Sequence, residues 1–320
     1  MKTKFAIGVL VQWYESSIIE YYIDSLKDAI ERYDGEVIVD VCIIADTTLE
    51  KPTSQEDKEL AIEKIDDICE EAFGYNYIRN EYEKLYTIAD YRREFNDKYC
   101  TEADVLVWGE SDMLVPKQSF VVLDHLHQNV DSPKYLATFS ICKMWDDSWK
   151  SLEHPEFTDK PFIEMDTKNW WSLRYTMSKE EMNRFNDKVE DIDVSIISPH
   201  KFNGCGLVIS SEVIKAGVNI PKSVFFIHED TAFMMMTNKV LGNIPQYHFK
   251  NILVVHNRKH PDKRTFVKGE ENLDKTNPGA QREAHNWYTP ANKMCEQNCY
   301  KLFDPNFKPF TWKDVFDSCK

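Results

Sequence analysis

Long apolar runs are missing from this sequence, which contains no stretch of about 18 uncharged apolar residues of the kind that spans a bilayer. The first residues, Met1 to Lys4, lead into an alternating apolar pattern rather than the apolar block and small residues of a secretory signal. We therefore expect a cytoplasmic protein that is neither secreted nor attached to a membrane. No sequence feature indicates an obligate protein partner.

Closely spaced cysteine pairs are lacking as well. The eight cysteines are scattered, and several lie inside apolar runs (Cys42, Cys142 and Cys205), which favours reduced core thiols over a disulfide framework. Cys295 and Cys299 are four residues apart, a helical-face spacing that differs from a zinc-type CxxC motif.

Excess positive charge is lacking, since 39 Lys and Arg stand against 54 Asp and Glu and the net charge is −15. Broad attraction to nucleic acid needs clustered Lys and Arg to neutralise phosphates, so this balance argues against it. One local exception is the basic segment from Arg258 to Arg264, flanked by Lys250 and Lys268. A solvated loop is the simplest interpretation of such a segment.

What the sequence does contain is ample core material, with 42% apolar and 13% aromatic residues. An apolar strand pattern over Phe5–Trp13 is followed by helical spacing over Ser16–Tyr33 and a second strand pattern over Val37–Ala45. This βαβ start predicts an α/β fold with a doubly wound, mostly parallel sheet flanked by helices. The ligand site of such a sheet lies at the carboxyl ends of its strands.

The same alternation continues along most of the chain. Helices are predicted over about 56–73, 83–99, 117–129 and 228–236, and strands over 75–79, 105–108, 135–142, 204–210, 224–227 and 247–255. The aromatic-rich stretch 143–203 lacks this alternation and is predicted to be a helix-and-loop insertion. We expect one catalytic domain over 1–260, with this insertion binding an acceptor, and a C-terminal extension over 261–320 that wraps the domain.

An acidic turn, Glu110-Ser111-Asp112, comes directly after the apolar strand that ends at Trp108. Two carboxylates at a strand end can converge on one cation, and Mg²⁺ or Mn²⁺ suits carboxylates together with substrate phosphates. An acidic turn is also common after strands in any α/β protein.

This order of elements, closed by an acid-x-Asp turn after an apolar strand, resembles the GT-A glycosyltransferases of the family 2 kind. Their turn is written DxD, and here it reads ESD. The resemblance covers about 5–142 and, more loosely, 204–256. It implies a metal-dependent enzyme, a hexosyl- or pentosyltransferase, that uses Mn²⁺ or Mg²⁺ to move a sugar from a nucleotide-sugar donor, a UDP-sugar, to a hydroxyl acceptor.

The resemblance also implies roles for individual residues around the donor. Asp46, Arg92 and Arg93 match positions that contact the nucleotide, although surface salt bridges would explain the arginines equally well. Asp112 and His256 match metal ligands, with Glu110 either a ligand or a contact to the sugar, the ribose or a metal-bound water. The alternative for His256 is a polar cap at a strand end.

The run His228-Glu229-Asp230 resembles the acidic motif that supplies a general base at the start of a helix. Asp230 is the expected base and Glu229 the reserve, which implies single displacement and inversion at the anomeric carbon. Capping of the helix N-terminus would explain the same acids without catalysis.

Two further groups are expected around the substrates. Arg258 and Lys259 follow His256 and could fold over the diphosphate and screen its charge. Acceptor binding is expected from aromatic side chains that stack on sugars or bases, unless these only pack: Trp145, Trp149, Trp170 and Trp171.

Other functions remain open from the sequence. A nucleotidyltransferase would need a glycine-rich phosphate loop after the first strand, and no glycine follows Gly8 there. A non-catalytic glycan- or partner-binding protein on the same fold is a second alternative. The acceptor could be a glycan or protein hydroxyl, or hydroxymethylated pyrimidines in DNA, as for some bacteriophage enzymes of this fold class.

Overall fold

A computed structural model describes most of the chain. The described residues are 1–45, 55–82, 85–142, 147–159, 177–197, 204–257 and 287–320. The strands are β1 (Phe5–Gln12), β2 (Val37–Ile44), β3 (Ile78–Tyr82), β4 (Val105–Trp108), β5 (Met113–Leu114), β6 (Leu136–Ile141), β7 (Val194–Ile196), β8 (Val208–Ser210) and β9 (Gln246–His256). The helices are α1 (Ile19–Glu31), α2 (Gln55–Phe73), α3 (Ile88–Tyr99), α4 (Ser119–Asn129), α5 (Lys179–Asn186), α6 (Ser211–Lys215), α7 (Glu229–Leu241), α8 (Tyr288–Tyr300) and α9 (Trp312–Ser318).

The strands form one sheet in the order β3-β2-β1-β4-β8-β6-β9-β5, and β7 pairs with β9. The pairs β1–β2, β2–β3, β1–β4 and β6–β9 are parallel, whereas β8 is antiparallel to both β4 and β6. The predicted class, an α/β fold with a doubly wound and mostly parallel sheet, is therefore confirmed.

Strand β1 shows how the sequence produces two helical layers. Its side chains alternate, so that Ala6 and Leu10 enter one apolar cluster while Ile7 and Val9 enter the other. Helices α1, α2 and α4 contribute to the cluster of Ile7, and α3, α6, α7, α8 and α9 contribute to the cluster of Ala6. Helices therefore cover both faces of the sheet, as parallel strands require.

The two C-terminal helices belong to the same core as the sheet. Trp287, which precedes α8, and Trp312, at the start of α9, both pack with Phe226, with ring centroids 5.5 and 5.6 Å apart. The division at residue 260 stays a prediction. None of the helices in the described ranges has the length and apolar character needed to cross a bilayer.

Several predicted elements differ from the structure. Residues 224–227 are not a strand: Val224 and Phe225 are buried, but their carbonyls accept hydrogen bonds from Arg93 Nη2 (2.9 Å) and Thr87 Oγ1 (2.8 Å) instead of a neighbouring strand. Helix α3 begins at Ile88 rather than near residue 83, because Thr87 and Asp90 form a capping box.

The cysteines match the prediction of core thiols. All eight lie in the described ranges, none of them forms a disulfide there, and all except Cys319 are buried.

A buried histidine in the sheet makes a stability test possible. His248 on β9 is 1% exposed, and its Nε2 lies 2.8 Å from Ser140 Oγ, which donates to the Lys250 carbonyl. Burial and the nearby Lys250 charge lower the pKa of His248 from 6.5 to about 4. His248 therefore becomes protonated near pH 6.5 in the unfolded chain but only near pH 4 in the folded chain.

We expect the contribution of neutral His248 to the free energy of unfolding to be complete above pH 6.5. It should be lost as the pH falls toward 4. Between pH 7 and pH 5 the loss is about 2 kcal/mol of unfolding free energy. Urea unfolding at both pH values measures it. His248→Gln keeps a donor for Ser140 and should remove this part of the pH dependence, whereas the exposed His125→Gln should not. Equal pH dependence in wild type and His248→Gln would contradict the assignment.

Candidate functional site

The candidate site lies where the direction of winding reverses. Strands β2 and β4 flank β1 on opposite sides, so the segments after β1 and β4 leave the same carboxyl edge and diverge. Ligands of open α/β sheets bind in the crevice at such a point. The acidic turn follows β4, and the residues after β1 form a short 3₁₀ helix, Trp13–Glu15.

Pairing between β5 and β9 brings the end of the last strand to the acidic turn. Met113 is the register partner of His256, and the next backbone amide, that of Asn257, donates to the Asp112 carbonyl at 2.7 Å. The predicted proximity of His256 to Glu110 and Asp112 is therefore seen in the structure.

The three predicted metal-binding side chains lie together, with both carboxylates close to one nitrogen of the imidazole. His256 Nε2 lies 2.7 Å from Glu110 Oε2 and 3.1 Å from Asp112 Oδ1. Neighbouring ligands around an octahedral Mg²⁺ are about 3 Å apart, given metal–oxygen distances near 2.1 Å. The distance from the imidazole nitrogen to each of the two oxygens is therefore that of neighbouring ligands of one divalent ion.

The charges at this cluster are strongly coupled. Burial acts to raise the pKa of Glu110, but the charge and hydrogen bond of His256 and the Arg92 guanidinium outweigh it and lower that pKa to about 2. Burial acts to lower the pKa of His256, yet the electrostatic interaction with Cys205 and the negative charges of Asp112 and Glu110 raise it well above its usual value. The same negative charges that favour a proton on His256 would stabilise a metal cation at this position.

Cys205 is a fourth residue at this cluster, and it was predicted from the sequence only as a core thiol. One ligand atom each from Glu110, Cys205 and His256 lies within 4.8 Å of the other two. The adjacent Gly206 has φ +73°, a conformation that side chains with Cβ rarely adopt. This turn lets Cys205 lie beside the end of β4, a contact that no local sequence pattern signals.

Arg92 connects the acidic turn to the second acidic motif. Its guanidinium is 2% exposed, donates to Glu110 Oε1 at 2.9 Å and Glu229 Oε1 at 2.6 Å, and stacks over the Trp108 ring at 4.7 Å. A third bond goes to the Gly204 carbonyl at 3.0 Å. A Cβ on Gly204 would collide with the guanidinium, so glycine there leaves room for Arg92.

The acidic motif stands at the first turn of α7. His228 precedes it with φ +66°, an uncommon conformation for a non-glycine residue, and marks the sharp entry into the helix. Glu229 is buried, and burial together with the Asp230 charge raises its pKa to about 7 against the opposing effect of Arg92. Asp230 is half-buried, and its Oδ1 accepts from the Thr231 amide at 2.6 Å.

Glu15 is a second residue that sequence reasoning missed. It is 7% exposed, and its Oε2 accepts from Ser111 Oγ at 2.9 Å and from the Gln12 amide at 3.1 Å. The middle residue of the acidic turn is thereby fixed to the segment after β1. The only sequence signal was its position at the end of that strand.

The remaining predicted site residues divide into two groups. Arg93 points to a loop, donating to the carbonyls of Ile220, Pro221 and Val224, and is not part of the cluster around Glu110. Trp149 is partly buried against the core. The others lie outside the described residues: Asp46, Trp145, Trp170, Trp171, Arg258 and Lys259.

Comparisons with known proteins give similarity at the level of structure only. No protein-family model matches the sequence, and no curated protein matches it significantly. A solved structure of residues 1–349 of TarS from S. aureus matches with TM-score 0.47 and 11% identity, covering 99% of this chain and 78% of TarS 1–349.

Two further solved structures are similar. A longer TarS structure matches with TM-score 0.45 and 12% identity over 94% of this chain, which spans 44% of that protein. Glucosyl-3-phosphoglycerate synthase from Mycobacterium tuberculosis, in complex with Mg²⁺ and UDP, matches with TM-score 0.43 and 11% identity, covering 88% of this chain and 80% of the synthase. All three TM-scores are below 0.5, so these similarities carry no argument about activity.

Proposed function

We propose that this protein is a metal-dependent glycosyltransferase that moves a hexosyl or pentosyl group from a UDP-sugar to a hydroxyl acceptor with inversion. The observation that carries the proposal is the convergence of Glu110 and Asp112 on His256 at the carboxyl edge of the sheet. A mixed carboxylate and imidazole cluster in the crevice of an open α/β sheet suits binding of a diphosphate through a divalent ion.

The donor set fits Mn²⁺ or Mg²⁺, with Asp112 and His256 as ligands and Glu110 beside them. Bound there, the ion would supply positive charge to the departing diphosphate. His256 must lose its proton to become a ligand, and the two carboxylates hold its Nε2 in the direction a ligand needs. Glu15 fixes the turn through Ser111, which keeps both acids at the crevice.

Asp230 is the general base in this proposal, and Glu229 is its reserve. Glu229 Oε1 is engaged by Arg92, whereas Asp230 Oδ2 has no donor among the described residues and can take a proton from the acceptor hydroxyl. Direct attack by that hydroxyl on the anomeric carbon gives single displacement and therefore inversion. Arg92 positions Glu229 and Glu110 relative to each other.

Further substrate contacts are proposed for the other predicted residues, most of which lie outside the described ranges. We propose that Asp46 contacts the nucleotide and that Arg258 and Lys259 contact the diphosphate. The tryptophans of 143–203 are proposed to bind a glycan or other hydroxyl acceptor.

The test is release of UDP from a panel of UDP-sugars in the presence of Mn²⁺, for wild type and Asp112→Ala. We expect wild type to hydrolyse or transfer at least one donor, and Asp112→Ala to lose about 10²-fold or more of that rate, because a ligand for the charge-stabilising ion is gone. Asp131→Ala is the control, since Asp131 is exposed and precedes β6 at the opposite edge of the sheet. Absence of turnover with every donor, or equal rates in wild type and Asp112→Ala, would refute the function.

A further inference from the structure

Cys205 occupies a fixed position beside the proposed metal site. The Gly206 amide donates to the Trp108 carbonyl, and the Trp108 amide donates to the Leu207 carbonyl, both at 2.9 Å. These two bonds tie the backbone around Cys205 to the end of β4, directly before the acidic turn. The backbone at Cys205 cannot move far without breaking them, so the sheet holds this residue beside the acidic turn.

The Cys205 side chain is 1% exposed and shares its surroundings with the ligand atoms of the site. One atom each from Glu110, Cys205 and His256 lies within 4.8 Å of the others, and the thiol hydrogen-bonds to the imidazole. The sulfur therefore lies at the border of an apolar core cluster, within reach of the oxygen and nitrogen donors of the site.

The kind of donor decides which ion such a cluster prefers. Carboxylates and water suit Mg²⁺, imidazole suits transition metals, and a thiolate binds thiophilic ions such as Zn²⁺, Co²⁺ and Cd²⁺. Mg²⁺ also demands a near-ideal octahedron of oxygen ligands. A sulfur ligand next to a histidine would thus shift selectivity away from Mg²⁺.

Building on the proposed metal site, we infer that Cys205 is an additional ligand, so that the site is a mixed oxygen, nitrogen and sulfur site selective for thiophilic transition metals over Mg²⁺. Coordination replaces the thiol proton, which passes to solvent, and the sulfur binds as thiolate. No electron transfer is involved.

Co²⁺ absorption on the full-length protein tests this directly, because thiolate coordination to Co²⁺ gives a near-ultraviolet charge-transfer band that oxygen and nitrogen ligands do not give. We expect wild type, stripped of metal with a chelator, to develop this band on addition of Co²⁺. Cys205→Ser should lose the band. Cys69→Ser is the matched control, since Cys69 is a buried thiol on α2 that does not belong to the group of ligand atoms formed by Glu110, Cys205 and His256, and it should keep the band.

Calorimetric titration gives the second readout. Cys205→Ser should weaken Cd²⁺ binding about tenfold or more and change Mg²⁺ binding by less than about twofold, because only the soft ligand is removed. If Cys205→Ser does not fold, Cys205→Ala replaces it in both experiments. The wild-type spectrum is a test by itself, because a wild type that binds Co²⁺ without the band overturns the inference.

The outcomes separate this inference from the proposed function. Wild type could bind Co²⁺ without a charge-transfer band and lose this binding in Asp112→Ala. That result would support the metal site but overturn the role of Cys205. A band that persists in Cys205→Ser also overturns it. Failure of wild type to bind Co²⁺, Mn²⁺ or Cd²⁺ overturns both the inference and the metal site on which it rests.

Discussion

Asp230→Asn is expected to lower kcat by about 10²- to 10⁴-fold, the usual contribution of a positioned general base. Asparagine preserves the shape of the side chain and the acceptor oxygen for the Thr231 amide, so the first turn of α7 should remain intact. UDP binding should be unchanged, because the proposed base contacts the acceptor rather than the donor. Steady-state rates and calorimetric titration with UDP measure the two effects separately.

Two comparisons make this result specific. Asp314→Asn alters a capping aspartate in the first turn of α9 and should leave kcat unchanged. Glu229→Gln tests the reserve base. Because the pKa of Glu229 is raised to about 7, a base at this position would give an acidic limb of the kcat profile near pH 7, and Glu229→Gln would abolish it. Turnover that survives in Asp230→Asn and disappears in Glu229→Gln would transfer the role to Glu229.

The proximity of His256 to the acidic turn could be predicted from the sequence because it depends on strand direction. Glu110 and Asp112 follow one apolar strand, and His256 ends another. The carboxyl ends of parallel strands share one edge, so the order of elements is enough to bring these residues to the same side of the sheet. The exact pairing, Met113 with His256, involves the two-residue strand β5, which is too short to give a sequence pattern.

The position of Cys205 beside the acidic turn could not be predicted because β8 inserts antiparallel between β4 and β6. The sequence of β8, Val-Ile-Ser, predicts a strand but not whether that strand is parallel or antiparallel to its neighbours. Only the direction of β8 determines at which edge of the sheet Cys205 lies. Residues 224–227 were wrongly predicted as a strand for a related reason. Their apolar side chains are buried, as those of a strand would be. Their carbonyls, however, accept hydrogen bonds from side chains of α3 and its N-cap instead of from a neighbouring strand.

Arg92→Met is expected to lower the free energy of unfolding by about 3–5 kcal/mol, the cost of removing one partner from a buried charge pair. Methionine fills much of the same apolar space against Trp108 but leaves Glu229, which is 8% exposed, without its cation. Urea unfolding measures the loss. Arg79→Met is the matched control: Arg79 also bonds two carboxylates, Asp66 and Glu81, but all three side chains are substantially exposed, so the cost should stay below about 1 kcal/mol.

The stability loss in Arg92→Met should be smaller at low pH, because the unpaired carboxylate can then take up a proton and become neutral. Adding Glu229→Gln to Arg92→Met removes that charge at every pH and should recover part of the lost stability, since a neutral amide is far cheaper to bury than a carboxylate. If Arg92→Met unfolds at the same urea concentration as wild type, Arg92 does not hold the two acidic motifs together. If the double variant is less stable than Arg92→Met, the loss comes from packing against Trp108 and not from the stranded charge.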